Sequence, residues 1–540
     1  MKKWFNKIDP LIVFFLLSLI TLFSFVGDVD YFLPKSKIST FKNYVDSKYV
    51  FGYPKQGLLN KNETIKLYSP NYKLLISVNG GKTYTEYYNQ SVLDLKSENI
   101  KNNVTSIRFK NPFGKMPEIC SFLIKAVHIN GSQFTKPIQL TYYTSYVSNL
   151  PIVNIVVNEN DLFDNKKGIL ILGEQSWYDD DFYKEFWYRN ANYNQRGEEW
   201  LKESYFQVFI DDSLSLESRS VIQVSGHASR TFSQKSLKIK TDKRYSKDKI
   251  KNKLFQDSKI KKYSSLVLRN SGNDNKKTLF ADLLMHNLAK NTKVITQSGQ
   301  TVNVFINGNY WGIYNLRERQ SKNYIAKNEK VKPLEITVLE KGNGRLKVGS
   351  NKERIKYIYL IDSLSKLNKI TNADIEFINE KISLKSFTDY IVLETFYGNY
   401  DWLNNNTLWY RAKSKKWKWI LVDLDVCLAF NTSNLQTNYF DKLRNSNSIT
   451  AKLFKLLMLN DTYKKQFKLR VKTIVENDFS EKNIYFEYNS LKSKIEPDIN
   501  QHINRWRGNF TESEWEDNCN NNLDFLLNRR QIFLNQVDKL

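Results

Sequence analysis

From Ser383 to Asp425 the chain reads SLKSFTDYIVLETFYGNYDWLNNNTLWYRAKSKKWKWILVDLD, and no other stretch restricts the possible folds so tightly. Leu384, Phe387, Ile391 and Thr395 form one stripe at helical spacing, with Ser383 placed to cap the first turn and Gly398 to end the last. A polar loop follows, in which Asp401 precedes Asn406 by five positions, and then two short β runs. In the second run Trp417, Trp419, Leu421 and Asp423 share a face, and Asp425 joins them if the chain stays extended. Two neighbouring carboxylates repel unless a cation lies between them, and a hard divalent ion bound by carboxylate and amide oxygens meets that need. Asn406, Asp423 and Asp425 are therefore the candidate metal ligands, and Asp401 is the candidate base for an attacking hydroxyl. Taken singly, each is the kind of residue that turns contain. Together, after an amphipathic helix, they have the spacing that phosphoryl transfer on magnesium requires.

At 540 residues the chain exceeds one ordinary core, so two or three domains are expected. Its 41% hydrophobic and 14% aromatic content supplies a packed interior and argues against a disordered chain. The net charge of +26 is spread along the whole length without a nucleic-acid-binding motif, which argues against nucleic acid as the partner and leaves anionic ligands compatible. Residues 1–10 are basic, Leu11–Gly27 is uncharged, and Asp28 and Asp30 follow. This reads as a cytoplasmic basic end, a signal anchor over 11–27 and a linker over 28–50, placing the remainder outside the cytoplasm; cleavage of the segment would release it. Cys120, Cys427 and Cys519 are too few and too scattered for a disulfide framework, although one Cys120–Cys519 bridge remains open.

Residues 51–146 alternate with period two between Asn-Gly turn signals, as in KLLISVNGGKTYTEY and SFLIKAVHINGSQF, which predicts antiparallel strands in an immunoglobulin-like β-sandwich. A second unit over 150–540 opens with LPIVNIVV and continues with mixed strands, then helices predicted at 278–290, 353–367 and through much of 448–540. The fold class expected is α+β and multidomain, with the sandwich first and a helical C-terminal part last.

The segments LPIVNIVV with GILILG, IQVSGHASRTFSQKSLKIKT, LVLRNSGNDNKKTLFADLL, VFINGNYWGIYNLRERQ, NYDWLNNNTLWYR and KWKWILVDLD occur in an order and spacing that resemble the CotH (spore-coat protein H-like) family of atypical secreted protein kinases. The resemblance implies a protein-kinase-like domain over 150–540 that uses ATP with Mg2+ or Mn2+ to phosphorylate Ser or Thr of secreted or surface proteins. It implies Asp401 as base, Asn406 and Asp423 as metal ligands with Asp425 close behind, and Lys235 of the QKS motif as the phosphate-binding cation, Lys238 being its rival. Where the family has Arg-Gly-Asn-Ser this chain has Ser225, Gly226, His227 and Ala228, and Arg230 is the candidate replacement for the missing charge. Arg269, Asp274, Asp282 and Glu318 read as structural ion-pair residues, and Trp311 and Trp402 as packing residues. The alternative reading is an inactive kinase-fold scaffold that binds a cell-surface polymer or a protein partner.

Overall fold

The computed structural model describes residues 51–540 with interruptions, the longest at 94–118 and 179–187. The anchor expected over Leu11–Gly27 and the linker after it lie outside the described residues. Among the described residues no helix is long and apolar enough to cross a membrane.

The first unit holds two sheets. One has three strands, Phe51–Tyr53, Ile65–Tyr68 and Ser91–Leu93; the other has five, Gly57–Leu59, Ile138–Thr144, Ile119–His128, Tyr72–Ser77 and Thr85–Tyr87 in spatial order. Ile65 and Leu67 of the first share a core with Leu74, Ile76, Phe122 and Ile124 of the second. Most pairings are antiparallel, as alternation predicted. Gly57–Leu59 is the exception and runs parallel to Ile138–Thr144, a relation that periodicity does not reveal. This unit packs on the next: Tyr143 lies in one apolar cluster with Ile152, Phe209 and Tyr310, and Asn154 Nδ2 donates to Ser121 Oγ at 2.7 Å.

The second unit begins with a closed seven-stranded barrel of Ile152–Val156, Lys202–Ile210, Ser213–Val224, Leu237–Lys240, Ser265–Arg269, Gly299–Ile306 and Asn309–Glu318. Only the contact between Ile152–Val156 and Gly299–Ile306 is parallel, and it closes the barrel. Leu237, Ile239, Leu266, Leu268, Tyr314 and Leu316 fill the interior with residues of the other strands. Because side chains alternate across a strand, Lys238, Lys240, Arg269 and Arg317 must face outward. Lys238 is in register with Val267, and Val267 with Arg317, so the outward residues form a row across three strands.

Against that outer face lies a helical layer with a four-stranded sheet, ordered Arg345–Val348, Ile336–Glu340, Leu408–Ala412 and Lys418–Ile420. Its centre is the helix Leu384–Tyr397, capped by the Ser383 side chain and ended by Gly398 in the left-handed conformation, as the sequence signals required. Phe396 stacks on Phe479 at 4.1 Å between ring centres, and Phe387 meets Trp419 at 4.8 Å. The helix over 278–290 is shorter than expected, Ala281–Leu288, because Asp274 takes the amides of Thr278 and Ala281 and holds the preceding residues in a turn. The three cysteines are free and buried, so the Cys120–Cys519 bridge is not formed.

The last helix, Glu512–Asp538, is fastened to the centre by Arg529. This fully buried guanidinium donates to the carbonyls of Thr395, Phe396, Leu435 and Thr437. Arg529→Met should destabilise the protein by at least about 3 kcal/mol in chemical denaturation, since it strands buried acceptors of a charged donor. Stability within 1 kcal/mol of wild type, on the order of a peripheral substitution, would show that this fastening is dispensable.

Candidate active site

The loop after the central helix is held from below. Glu394, inside that helix, accepts from Asn399 Nδ2 at 2.9 Å, and Asn399 Oδ1 in turn accepts the Asp401 amide at 3.2 Å. Asp401 is exposed, and its two carboxylate oxygens accept from Asn405 Nδ2 at 2.9 Å and Asn406 Nδ2 at 3.3 Å. Asn406 Nδ2 also reaches the Asp423 carbonyl at 3.3 Å. One amide therefore ties the loop to the segment after the hairpin, and the amide oxygen of Asn406 is the group left for a cation. Trp402 is buried with its indole nitrogen on Tyr390 Oη at 2.9 Å, and Trp311 is also buried, so both are packing residues.

The extended path expected through Asp425 does not occur. The strand ends at Ile420, and the chain turns at Asp423, whose φ of 54° is left-handed, as is the 49° of Asn406. Non-glycine residues in this region carry strain that the surroundings must hold in place, and such residues gather at functional sites. Asp423 and Asp425 meet nevertheless, because Arg269 Nη2 donates to Asp423 Oδ1 and, at 2.7 Å, to Asp425 Oδ2. Asp425 is buried and fully engaged: Asn273 gives its backbone amide to Oδ2 and its side-chain amide to Oδ1, each at 3.1 Å. Asp423 is 45% exposed at its side chain, so of the two it is the one open to a cation. Asp425 orders the loop instead of facing solvent.

Electrostatics follow that division. Burial, and then the charge of Asp423, push Asp425 up to about 7. Burial opposes the Arg269 charge, but Asp423, Asp282 and Asp425 outweigh it and raise its pKa. Asp282 is buried too, yet Arg317 and Arg269 hold it well below the usual carboxylate range. Asp282 accepts from Arg317 through one oxygen and from the Leu424 amide, at 2.9 Å, through the other, which fixes the peptide between Asp423 and Asp425. The expected ion-pair roles of Arg269 and Asp282 are thus found beside the acids themselves. Glu318 lies 3.6 Å from Lys327, and Asp274 serves a helix start instead of an ion pair.

The outward face of the barrel carries a cationic cavity of its own. A cavity of about 410 Å³ is lined by Arg196, Gln223, Ser225, Lys238, Lys240 and Arg319, among other residues, with Glu198 its one acid. Arg269 stands two residues along its strand from Val267, the register partner of Lys238, a rise of about 7 Å. Burial, then the like charges of Arg319 and Lys240, bring Lys238 down to about 8.

The side chains of Lys235 and Arg230 are turned to backbone carbonyls. Lys235 is buried, with Nζ donating to the Arg230 and Phe232 carbonyls at 2.9 Å and lying 4.1 Å from the Tyr193 ring centre. Arg230 touches the cavity wall, but its guanidinium donates to the carbonyls of Tyr193, Gln195, Val224 and Gly226. Both are spent on carbonyls, and Lys238 is the member of the trio whose strand faces the cavity.

Among the described residues no three His, Cys, Asp or Glu side chains are grouped to hold a metal by themselves. Asn406 and Asp423 fit a divalent ion that takes its remaining ligands from water and from phosphate, the pattern hard cations adopt in nucleotide sites. Residues 222–533, more than half of the chain, match the family model described as CotH kinase protein. The chain belongs to the CotH kinase family. No curated protein matches it. The CotH match contains Asp401, Asn406, Asp423, Lys238 and Arg319, whereas Arg196 stands upstream of it.

Sequence reasoning missed Gly272, Asn273, Arg317, Arg319 and Asn399. Strand alternation around Leu316 could have placed Arg317 outward; nothing in the sequence pairs Asn273 with Asp425 across more than 150 positions. Gly272 has a φ of 60°, and a Cβ on it would lie 1.8 Å from Asp425 Oδ2. Gly272→Ala should therefore destabilise the protein by about 1–3 kcal/mol in chemical denaturation. An unchanged unfolding curve would place Asp425 elsewhere.

Glu394 supplies a pH prediction. Burial raises it from 4.5 to about 8, so between those values the folded protein keeps a proton that the unfolded chain has lost. Stability falls as pH rises through that window. Glu394→Gln should flatten the dependence of the urea midpoint between pH 5 and pH 8 and leave the variant relatively more stable at the upper end; parallel profiles would show that Glu394 is not the group responsible.

Proposed function

We propose that this CotH-family chain is an extracytoplasmic, magnesium- or manganese-dependent protein kinase that moves the γ-phosphoryl group of ATP to a Ser or Thr hydroxyl of a secreted or surface protein. The observation that carries the reading is the linkage of Asp401, Asn406 and Asp423 through one amide, beside a wall of outward-facing cations. When bound, the metal ion would offset phosphate charge and orient the phosphates at Asn406 and Asp423. Asp401, exposed and fixed through both oxygens, takes the proton as the acceptor oxygen bonds to the γ-phosphorus and the bond to the bridging oxygen breaks. Lys238 and Arg319 bind the phosphate chain from the barrel side. In this reading Leu11–Gly27 anchors the chain and an immunoglobulin-like module over 51–146 holds the kinase domain away from the membrane.

A second reading, the inactive scaffold, is favoured by Arg269, a fixed guanidinium already paired with Asp423 and Asp425. Transfer of labelled phosphate from ATP to the protein itself or to a Ser/Thr-rich acceptor, with magnesium or manganese, separates the two. Asp401→Ala should lower the rate by about 100-fold or more while leaving nucleotide binding intact. Absence of transfer and of any nucleotide-induced thermal shift in wild type would sink the kinase reading; equal rates would refute Asp401 as base.

A further inference from the structure

The cavity on the barrel wall has an unusual chemistry. Of its lining residues only Leu201 and Val224 are fully apolar side chains, while Arg196, Arg230, Lys238, Lys240 and Arg319 are cations. Lys240 and Arg244 each lie 3.9 Å from Glu198, and Arg230 is committed to carbonyls. No carboxylate stands within ion-pair distance of Arg196, Lys238 or Arg319 among the described residues. Three like charges around one cavity repel one another unless an anion joins them, and Lys238, lowered first by burial, is lowered further by the charges of Arg319 and Lys240.

Arg196 reaches this wall by a specific construction. The turn Asn192–Asn194 leads into Gln195 and Arg196, and Arg230 clamps it by donating to Tyr193 at 2.8 Å and Gln195 at 3.2 Å. The same guanidinium holds the carbonyls of Val224 and Gly226, on either side of Ser225. Arg230 thus fixes the Arg196 segment to the Ser225 segment, and both line the cavity.

We infer that Arg196, clamped in place by Arg230, completes with Lys238 and Arg319 a seat for a chain of phosphates. The seat recognises the phosphate chain and offers almost no apolar surface to a base. The inference rests on the kinase reading for its assignment to ATP, but the cavity's preference for polyphosphate stands independently of it. Arg196 binds the phosphate chain directly, and Arg230 is a positioning residue.

The test is calorimetric binding of inorganic tripolyphosphate, ATP and adenosine to the full chain, for wild type, Arg196→Gln and, as a charge-matched control, Lys413→Gln. Lys413 is exposed and outside the cavity lining, and Arg196 is itself exposed, so neither change threatens folding. Wild type should bind tripolyphosphate and ATP, with each displacing the other, and should not bind adenosine. Arg196→Gln should weaken tripolyphosphate about tenfold, the loss of one charge-assisted contact, with Lys413→Gln unchanged. Equal affinity in wild type and Arg196→Gln overturns the inference and leaves the kinase reading intact. Loss of equal size in Lys413→Gln also overturns it, since the attraction would then be general. Tripolyphosphate binding that depends on Arg196 but is not displaced by ATP upholds the seat and refutes the kinase reading. Failure to bind tripolyphosphate in a wild-type protein that still transfers phosphate from ATP overturns the seat alone.

Discussion

The Arg269 guanidinium is the interaction on which the site depends. It is carried by the last residue of a barrel strand and grips two carboxylates, Asp423 and Asp425, that belong to the helical layer. Without it two acids only one residue apart would repel, and Asp425, buried as it is, would face the desolvation of a charge with only Asn273 to oppose it. The left-handed turn at Asp423 depends on the same contact. Backbone strain of this kind persists only where neighbours over-determine it, and here Arg269 holds the Asp423 carboxylate while Asn406 and Asp282 hold the carbonyl and the amide of the Asp423–Leu424 peptide.

The barrel explains why Arg269 is available. A closed sheet divides its side chains between an interior and an exterior with no exceptions along a regular strand. In Ser265–Arg269 the leucines 266 and 268 go inward, so Val267 and Arg269 go outward, and the neighbouring strands add Lys238 and Arg317 to that exterior. The interior apolar packing and the exterior cationic wall are two results of one alternation. Substitutions inside the barrel would therefore reach the site through strand register, without touching any polar residue of it.

What the sequence disclosed and what it withheld divide along the same physical line. Local signals were legible: Ser383 caps the central helix, Gly398 ends it, and Asp401 and Asn406 come together because five positions of loop suffice. Period-two alternation marked the strands of both units. Closure of the barrel was not legible, since it rests on a parallel contact between Ile152–Val156 and Gly299–Ile306, which are separated by more than 140 positions. The partners of Lys235 are local by contrast: its position just before the strand Leu237–Lys240 brings its ammonium to the carbonyls of Arg230 and Phe232. The extended path to Asp425 failed because Asp423 gives up the strand to meet Arg269, a tertiary demand overriding a local preference.

The acidic loop and the cationic cavity carry charges of opposite kind and are linked through the strand Ser265–Arg269. On the acidic side Asp282, Asp423 and Asp425 face two guanidinium groups, Arg269 and Arg317, which leaves one carboxylate charge uncompensated when all are ionised, with Asp401 a second across the Asn406 amide. On the barrel side Lys238, Arg319 and Arg196 have no carboxylate within ion-pair distance among the described residues, and Glu198 is the one acid of the lining. Strand geometry sets Lys238 and Arg269 about two residues and one strand apart, on the order of 8 Å between backbones. A ligand that presents a cation toward Asp423 and anions toward Lys238 satisfies both at once, and a metal-bound polyphosphate has that distribution of charge. Charges fixed by strand register and by a buried ion pair differ in this from an ordinary surface salt-bridge network, in which the side chains move until they pair.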